Sequence, residues 1–285
     1  MTSGSAARDL FQRPPLHVTG GIPVFSGASA YTENYEHISS DHVTAIDHGE
    51  VNPFIPAAIW TQFEQSTLAL IRQYAKPGDR ILDVGVGLGR LLEHVPTLER
   101  HGMDISFEYL RRARERGIEV CYALVEDMPY REALFDVVVC TDVLEHVLDV
   151  NTACRNMIAV LKPGGVLITR VPYREDMRAY AMATTGYQFV HLRSFDEHGL
   201  RLLFTKIFDM EWCGALKAGF AGPGHTVYPW LDAAGGAQLG RAKRALCAVY
   251  HATAIRYWGP FVVNTVVRKP VRLPHDAVTT AGSAA

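Results

Sequence analysis

The chain has 285 residues, 48% of them hydrophobic and 20% charged, a composition that excludes a disordered or fibrous protein and allows one large domain or two small ones. With 28 basic and 30 acidic residues the net charge is -2, so no overall field marks a nucleic-acid or membrane-surface binder. Five widely spaced cysteines form no Cys-x-x-Cys pair and read as reduced, buried thiols. No apolar run reaches the ~18 residues of a membrane span and the start lacks a basic-then-apolar pattern, so the expectation is a cytoplasmic protein without a membrane segment.

Residues 1 to about 30 are rich in Gly, Ser, Ala and Pro and read as loose, as does the tail from about His275. Tyr31 to Glu50 is polar. A helical pattern starts near Ile59, where Trp60, Phe63, Leu68, Leu70, Ile71 and Tyr74 share one face, and ends before Pro77-Gly78. From Arg80 onward short apolar runs alternate with helical segments. Strands are expected at 81–84, 101–105, 120–125, 135–141 and 165–171, with helices at 89–99, 109–116 and within 147–161. Continuous Val/Ile/Leu strands in a βαβ rhythm mean a parallel sheet covered on both faces, an α/β, doubly wound fold. After Pro172 a helix at 195–203, a strand at 207–216, a helix at 239–258 and a final strand at 261–267 are expected.

The sharpest local signal is Ile81-Leu82-Asp83-Val84-Gly85-Val86-Gly87-Leu88-Gly89-Arg90, a buried strand running into a glycine loop and then a helix. Such glycines let the backbone approach a ligand, and a helix N-terminus offers free N–H groups to an anion. Arg90 stands where a dinucleotide fingerprint wants its last glycine, and the Gly-Lys-Ser/Thr ending of a phosphate loop is missing. Asp83 at the loop entrance suits an ammonium group, so the pair suits a zwitterionic amino acid. Asp104, ending the next strand, suits the two hydroxyls of a ribose. Asp127 in Glu126-Asp127-Met128-Pro129 can accept from an exocyclic amine, with Met128 against a purine. Amino acid, ribose and purine together describe S-adenosylmethionine.

These motifs, with Gly102-Met103-Asp104-Ile105-Ser106, the run from Phe135 through Thr141 and Asp142 to Leu144-Glu145-His146-Val147, and Leu161-Lys162-Pro163-Gly164-Gly165, resemble those of class I S-adenosylmethionine-dependent methyltransferases. The match covers roughly residues 60 to 175 in family order. The resemblance implies a mostly parallel seven-stranded sheet with an antiparallel final strand. It also implies that Gly85, Val86 and Gly87 line the methionine end, Asp104 and Ile105 the ribose, Glu126, Asp127 and Met128 the adenine side, and Thr141 the wall beside the methyl group. In related methylases the segment before the core folds over the cofactor, which makes residues 1–58 a tail and lid with Tyr31 and Tyr35 toward the ligand. Residues 59–275 are then the methyltransferase domain, with a helical insertion at about 220–259, and 276–285 a flexible tail.

Methyl transfer from a sulfonium is an in-line displacement that needs a base only where the acceptor loses a proton. Asp142, Glu145 and His146 are spaced to share one face of a helical turn. His146 is the expected general base, oriented by Asp142 or Glu145, with His191 nearby. The Asp/Glu/His/His set also suits a divalent metal and resembles the Glu-x-x-Glu-His site of RNA 3′-end methyltransferases. Asp142 replaces the first glutamate and nothing else suggests RNA, so no metal is assigned. Arg193, Tyr173 and His225 are placed to reach an acceptor from later loops. The expected function is methyl transfer to an oxygen or nitrogen of a small polar metabolite, without nucleic acid or membrane as partner and with a homodimer left open. The alternatives are a non-catalytic S-adenosylmethionine-binding scaffold or sensor, and a metal-dependent RNA 2′-O-methyltransferase.

Overall fold

The computed structural model describes residues 10–49, 55, 57–178, 180, 186–220 and 260–271. The insertion helix expected at 239–258 and His225 lie outside the described residues.

Five parallel strands carry the centre: β3 (Arg80–Val84), β4 (Glu99–Asp104), β5 (Glu119–Tyr122), β6 (Phe135–Thr141) and β7 (Leu161–Pro172). β3 lies between β4 and β6, so the strand order reverses there and opens a crevice at the carboxyl ends. β9 (Pro260–Arg268) runs antiparallel between β7 and β8 (Glu211–Phe220). Among the described residues the order is β1-β2-β5-β4-β3-β6-β7-β9-β8, nine strands rather than seven. The two extra strands, β1 (His17–Thr19) and β2 (Ile22–Val24), form a hairpin within the stretch expected to be loose. Positive φ at Gly20 and Gly21 makes its two-residue turn, and Val24 pairs with Tyr122 of β5.

Alternate residues of the strands face opposite ways. Leu82, Val84, Val138, Cys140 and Leu167 enter one core with Ala153, Cys154 and Met157 of α5 (Val150–Val160) and Leu200 of α6 (Glu197–Leu202). Ile81, Val137, Val139 and Ile168 enter the other with Leu68 and Ile71 of α2 (Ala57–Tyr74) and Leu110 of α4 (Phe107–Glu115). Each such fully buried aliphatic side chain contributes about 1.5–3 kcal/mol of transfer free energy. Cys121, Cys140 and Cys154 are buried as expected, but Cys213 is exposed.

Two helices differ from expectation. The segment after the glycine loop is helical only over α3 (Arg90–Glu93), because a turn at Val95-Pro96-Thr97 feeds β4. The polar stretch after Tyr31 is not irregular: it is α1 (Ala30–Asp47), opened by a reciprocal cap between Ser29 and Thr32. Specific polar contacts hold α1 down. Ser106 Oγ and Ser39 Oγ are 2.6 Å apart, His42 Nδ1 lies 2.6 Å from Tyr109 Oη, and the Phe107 N–H donates to the Glu36 carboxylate at 3.1 Å. Among the described residues no helix is long and apolar enough to cross a membrane.

Candidate functional site

The glycine loop leaves β3 into the crevice with φ of +76° at Gly85, +51° at Gly87 and +75° at Gly89, a left-handed conformation that side chains resist. A Cβ at Gly85 would sit 2.3 Å from Val143 Cγ2, whereas one at Gly87 would meet nothing within 4 Å. Gly85 is therefore closed by the loop after β6, and Gly87 faces open space. Val86 is buried beneath Gly102 of β4.

Asp83 is 2% exposed, and its Oδ1 has no hydrogen-bond partner. Burial pushes its carboxyl well above the usual range, with Arg170 opposing and Asp104 and Asp142 adding to the rise. A buried carboxylate with an unpartnered oxygen at the loop entrance fits an ammonium ligand. Asp104 accepts from the Gly87 N–H at Oδ2 (2.9 Å) and from the Ile105 and Ser106 N–H groups at Oδ1 (2.8 and 3.1 Å). Burial raises its pKa to about 6 against those three bonds. Oδ1 is filled by its two N–H donors, so the lone pair left for a hydroxyl is the second one on Oδ2, and Ile105 packs beside it at the edge of the core.

The single 3₁₀ turn Val125–Asp127 carries the next residues. Asp127 is held by Arg13, with Nη2 at 2.6 Å from Oδ1, and by Ser26, whose Oγ donates to Oδ2 at 3.0 Å. Arg13 also donates to the Asp127 carbonyl at 3.0 Å. Neither Arg13 nor Ser26 was singled out from the sequence, since both lie in the stretch read as loose. Glu126 uses Oε1 to accept from the Leu148 N–H at 3.0 Å. The Met128 side chain is 5% exposed within the apolar core, a position that makes it a floor rather than a free face for a purine.

β6 ends at half-buried Thr141, whose register partner on β7 is Arg170. The segment after β6 makes a single turn, in which the Val143 carbonyl accepts from the His146 and Val147 N–H groups at 2.9 and 3.2 Å, and Asp142 stands before it. Asp142, at φ +55°, does not orient His146: Arg170 takes both its oxygens, with Nε at 3.2 Å from Oδ1 and Nη2 at 2.5 Å from Oδ2. The His146 ring instead places Nδ1 3.1 Å from the Val190 carbonyl. Burial, then His191, lowers the His146 pKa to about 3, which makes it a weak base near neutral pH. His191 Nδ1 bonds to Glu175, a partner the sequence reading did not name. Arg193 is structural, donating to the carbonyls of Leu144, Val147 and Leu148. Tyr173 packs under Lys217, whose Nζ lies 4.9 Å from its ring centroid.

Tyr31 and Tyr35 of α1 close this side. Their rings are 4.9 Å apart, Tyr35 meets His146 edge-on at 5.5 Å, and the Tyr31 hydroxyl donates to the His146 carbonyl at 3.4 Å. The structure thus gathers Asp83, Gly85, Gly87, Asp104 and Thr141 at one sheet edge beside Glu145, His146 and His191.

Residues 82–169 match the family model described as a methyltransferase domain. The ubiquinone biosynthesis O-methyltransferase of Xylella fastidiosa is 31% identical over 176 residues, 57% of this chain and 71% of that protein. The protein of the same name from Xanthomonas axonopodis is 36% identical over 122 residues, 40% of this chain and 51% of that one. The chain spans about half the length of most of the curated relatives it matches. Among solved structures, a possible histamine N-methyltransferase from Thermotoga maritima aligns with TM-score 0.53 and 20% identity, covering 82% of this chain and 99% of that chain. A geranyl diphosphate C-methyltransferase from Streptomyces coelicolor aligns with TM-score 0.56 and 11% identity, covering 86% and 99%. At those identities the likeness is one of fold.

Proposed function

The chain belongs to the class I S-adenosylmethionine-dependent methyltransferases, and on that premise we propose that it moves a methyl group to a hydroxyl oxygen of a small polar metabolite. The observation that carries the reading is the pairing, at one crevice, of a donor cradle with an ionisable cluster. Asp83, the Gly85–Gly87 loop and Asp104 make the cradle, and Glu145, His146 and His191 make the cluster. Oxygen is favoured over nitrogen because the relatives at 31–36% identity are named as O-methyltransferases.

In this reading Asp83 takes the ligand's ammonium group, Asp104 a ribose hydroxyl through Oδ2, and Asp127 with Ile105 and Glu126 the adenine side. Gly87 leaves room for the backbone to lie against the methionine end. S-adenosylmethionine, when bound, supplies an electrophilic methyl on sulfonium sulfur, and the pair of the broken C–S bond stays on sulfur. Thr141 and the 142–146 turn wall the methyl side, Tyr31 and Tyr35 cover it, and the acceptor oxygen is held for in-line approach, where positioning contributes most of the rate. The hydroxyl must give up its proton, and the Glu145–His146–His191 cluster is the set that manages it.

Calorimetry with S-adenosylhomocysteine, followed by product analysis on a panel of phenols, catechols and aliphatic alcohols, tests this. Binding with O-methyl product supports it; binding without turnover on any class of acceptor favours a non-catalytic binding protein; failure to bind overturns the reading.

A further inference from the structure

We propose that Glu145, His146 and His191 form a binding site for a first-row divalent cation such as zinc, cobalt or manganese. One ligand atom from each residue lies within 4.8 Å of the others. Glu145 is 1% exposed, yet neither carboxylate oxygen has a hydrogen-bond partner. A buried carboxylate left bare costs several kcal/mol unless a charge compensates it, and no Lys or Arg among the described residues forms an ion pair with it.

The two rings are oriented for ligation. The Val190 carbonyl can only accept, so His146 Nδ1 carries the hydrogen and Nε2 the lone pair. His191 Nδ1 bonds to Glu175 Oε2 in the same sense, while Tyr180 Oη donates to Glu175 Oε1 at 2.5 Å. This is the carboxylate–histidine arrangement that fixes tautomer and ring orientation behind a metal. The frame is rigid as well. The Leu192 N–H donates to the Glu145 carbonyl at 2.8 Å, and Arg193 pins the carbonyls on either side of the two ligands. Two imidazoles and one carboxylate favour zinc-like or manganese-like ions over magnesium or calcium, which prefer all-oxygen sites. Asp142 is not a ligand, because Arg170 occupies both its oxygens.

For the reaction, the site's role rests on the methyltransferase reading; cation binding itself does not. A hydroxyl coordinated there is acidified: its O–H bond breaks with the proton passing to solvent water. The oxygen lone pair then forms the bond to the methyl carbon while the C–S electron pair stays on sulfur.

The test is titration of tag-free, chelator-treated full-length protein with CoCl2 and ZnCl2, by calorimetry and by the visible bands of bound Co2+. A single cation per chain is expected, lost in Glu145→Gln and in His191→Asn, about 10–100-fold weaker in Glu175→Gln, and unchanged in Asp142→Asn. Should Glu145→Gln fail to fold by circular dichroism, half-buried Glu175 still carries the test. Wild-type protein that binds neither ion, or a Glu175→Gln variant that binds as wild type does, overturns the proposal. S-adenosylhomocysteine binding by the same sample separates this outcome from failure of the methyltransferase reading.

Discussion

Arg170 and Asp142 form a forked ion pair across the ends of neighbouring strands, and the same guanidinium reaches Thr67 on α2 at 3.1 Å through Nη1. Thr67 in turn donates to Asn264 of β9 at 2.8 Å. With Trp60 and Phe63 on its faces at 5.5 and 5.7 Å, Arg170 ties α2, β7 and β9 to the turn that follows β6. Replacing it by Met strands Asp142 and removes the tie. The expected loss is about 3 kcal/mol, the low end for a broken buried pair because Asp142 is partly solvated; a thermal-melt loss under a third of that refutes the assignment.

The two loop glycines separate stability from binding. Gly85→Ala drives a methyl group into Val143 at a left-handed φ, so both melting temperature and S-adenosylhomocysteine affinity fall. Gly87→Ala meets open space and costs about 1–2 kcal/mol of backbone strain alone, yet its methyl fills the ligand's room. Calorimetry should show at least a tenfold weaker Kd for Gly87→Ala. Affinity equal to wild type would place the ligand elsewhere.

The raised pKa of Asp104, about 6, fixes a sign. On the proposed reading a ribose hydroxyl donates to the ionised carboxylate, so S-adenosylhomocysteine binding tightens as pH rises through about 6 and levels off above it. Folding runs the other way. The raised value favours the protonated native state, so this group's stabilisation is full below 3.8 and is lost as pH rises through about 6. Asp104→Asn should flatten both profiles, read by calorimetry and by melting from pH 4 upward.

The central strands and their loops were legible because a parallel strand buried on both faces is written as an unbroken apolar run, as in Val137-Val138-Val139-Cys140. α1 was not, since its buried side chains are Tyr31, Thr32, Ser39 and Val43, two of them polar, and it docks through pairs such as Ser39–Ser106 that only folding creates. The Ser29–Thr32 cap was its one local signal. β1 and β2 are three residues each, too short for a period to show. At the site, the spacing of Asp142, Glu145 and His146 suggested that Asp142 serves His146, whereas its positive φ precedes the turn and Arg170 takes its carboxylate. Glu175 had no motif, because its partner His191 lies sixteen residues further along the chain.

Arg13 and Asp127 make a half-exposed pair, 40% and 43% accessible, worth about 0–1 kcal/mol to folding. Arg13→Ala should therefore leave the melting temperature nearly unchanged while freeing the Asp127 carboxylate and the backbone carbonyl beside the adenine side. A change in S-adenosylhomocysteine affinity of less than twofold would show that the N-terminal strap plays no part in the cofactor pocket.

The position of β9 bears on how the chain is made. Among the described residues β8 has β9 as its sole hydrogen-bonded neighbour strand, and β9 is also the strand that caps β7. Emerging from the ribosome, the parallel half of the sheet can assemble as soon as residue 172 is out. β8 then waits for roughly forty more residues before it has any ladder to join, with the flank of β7 uncovered meanwhile. Synthesis closes this sheet from the inside last, and a ribosome stalled between residues 220 and 260 holds a nascent chain with an open edge.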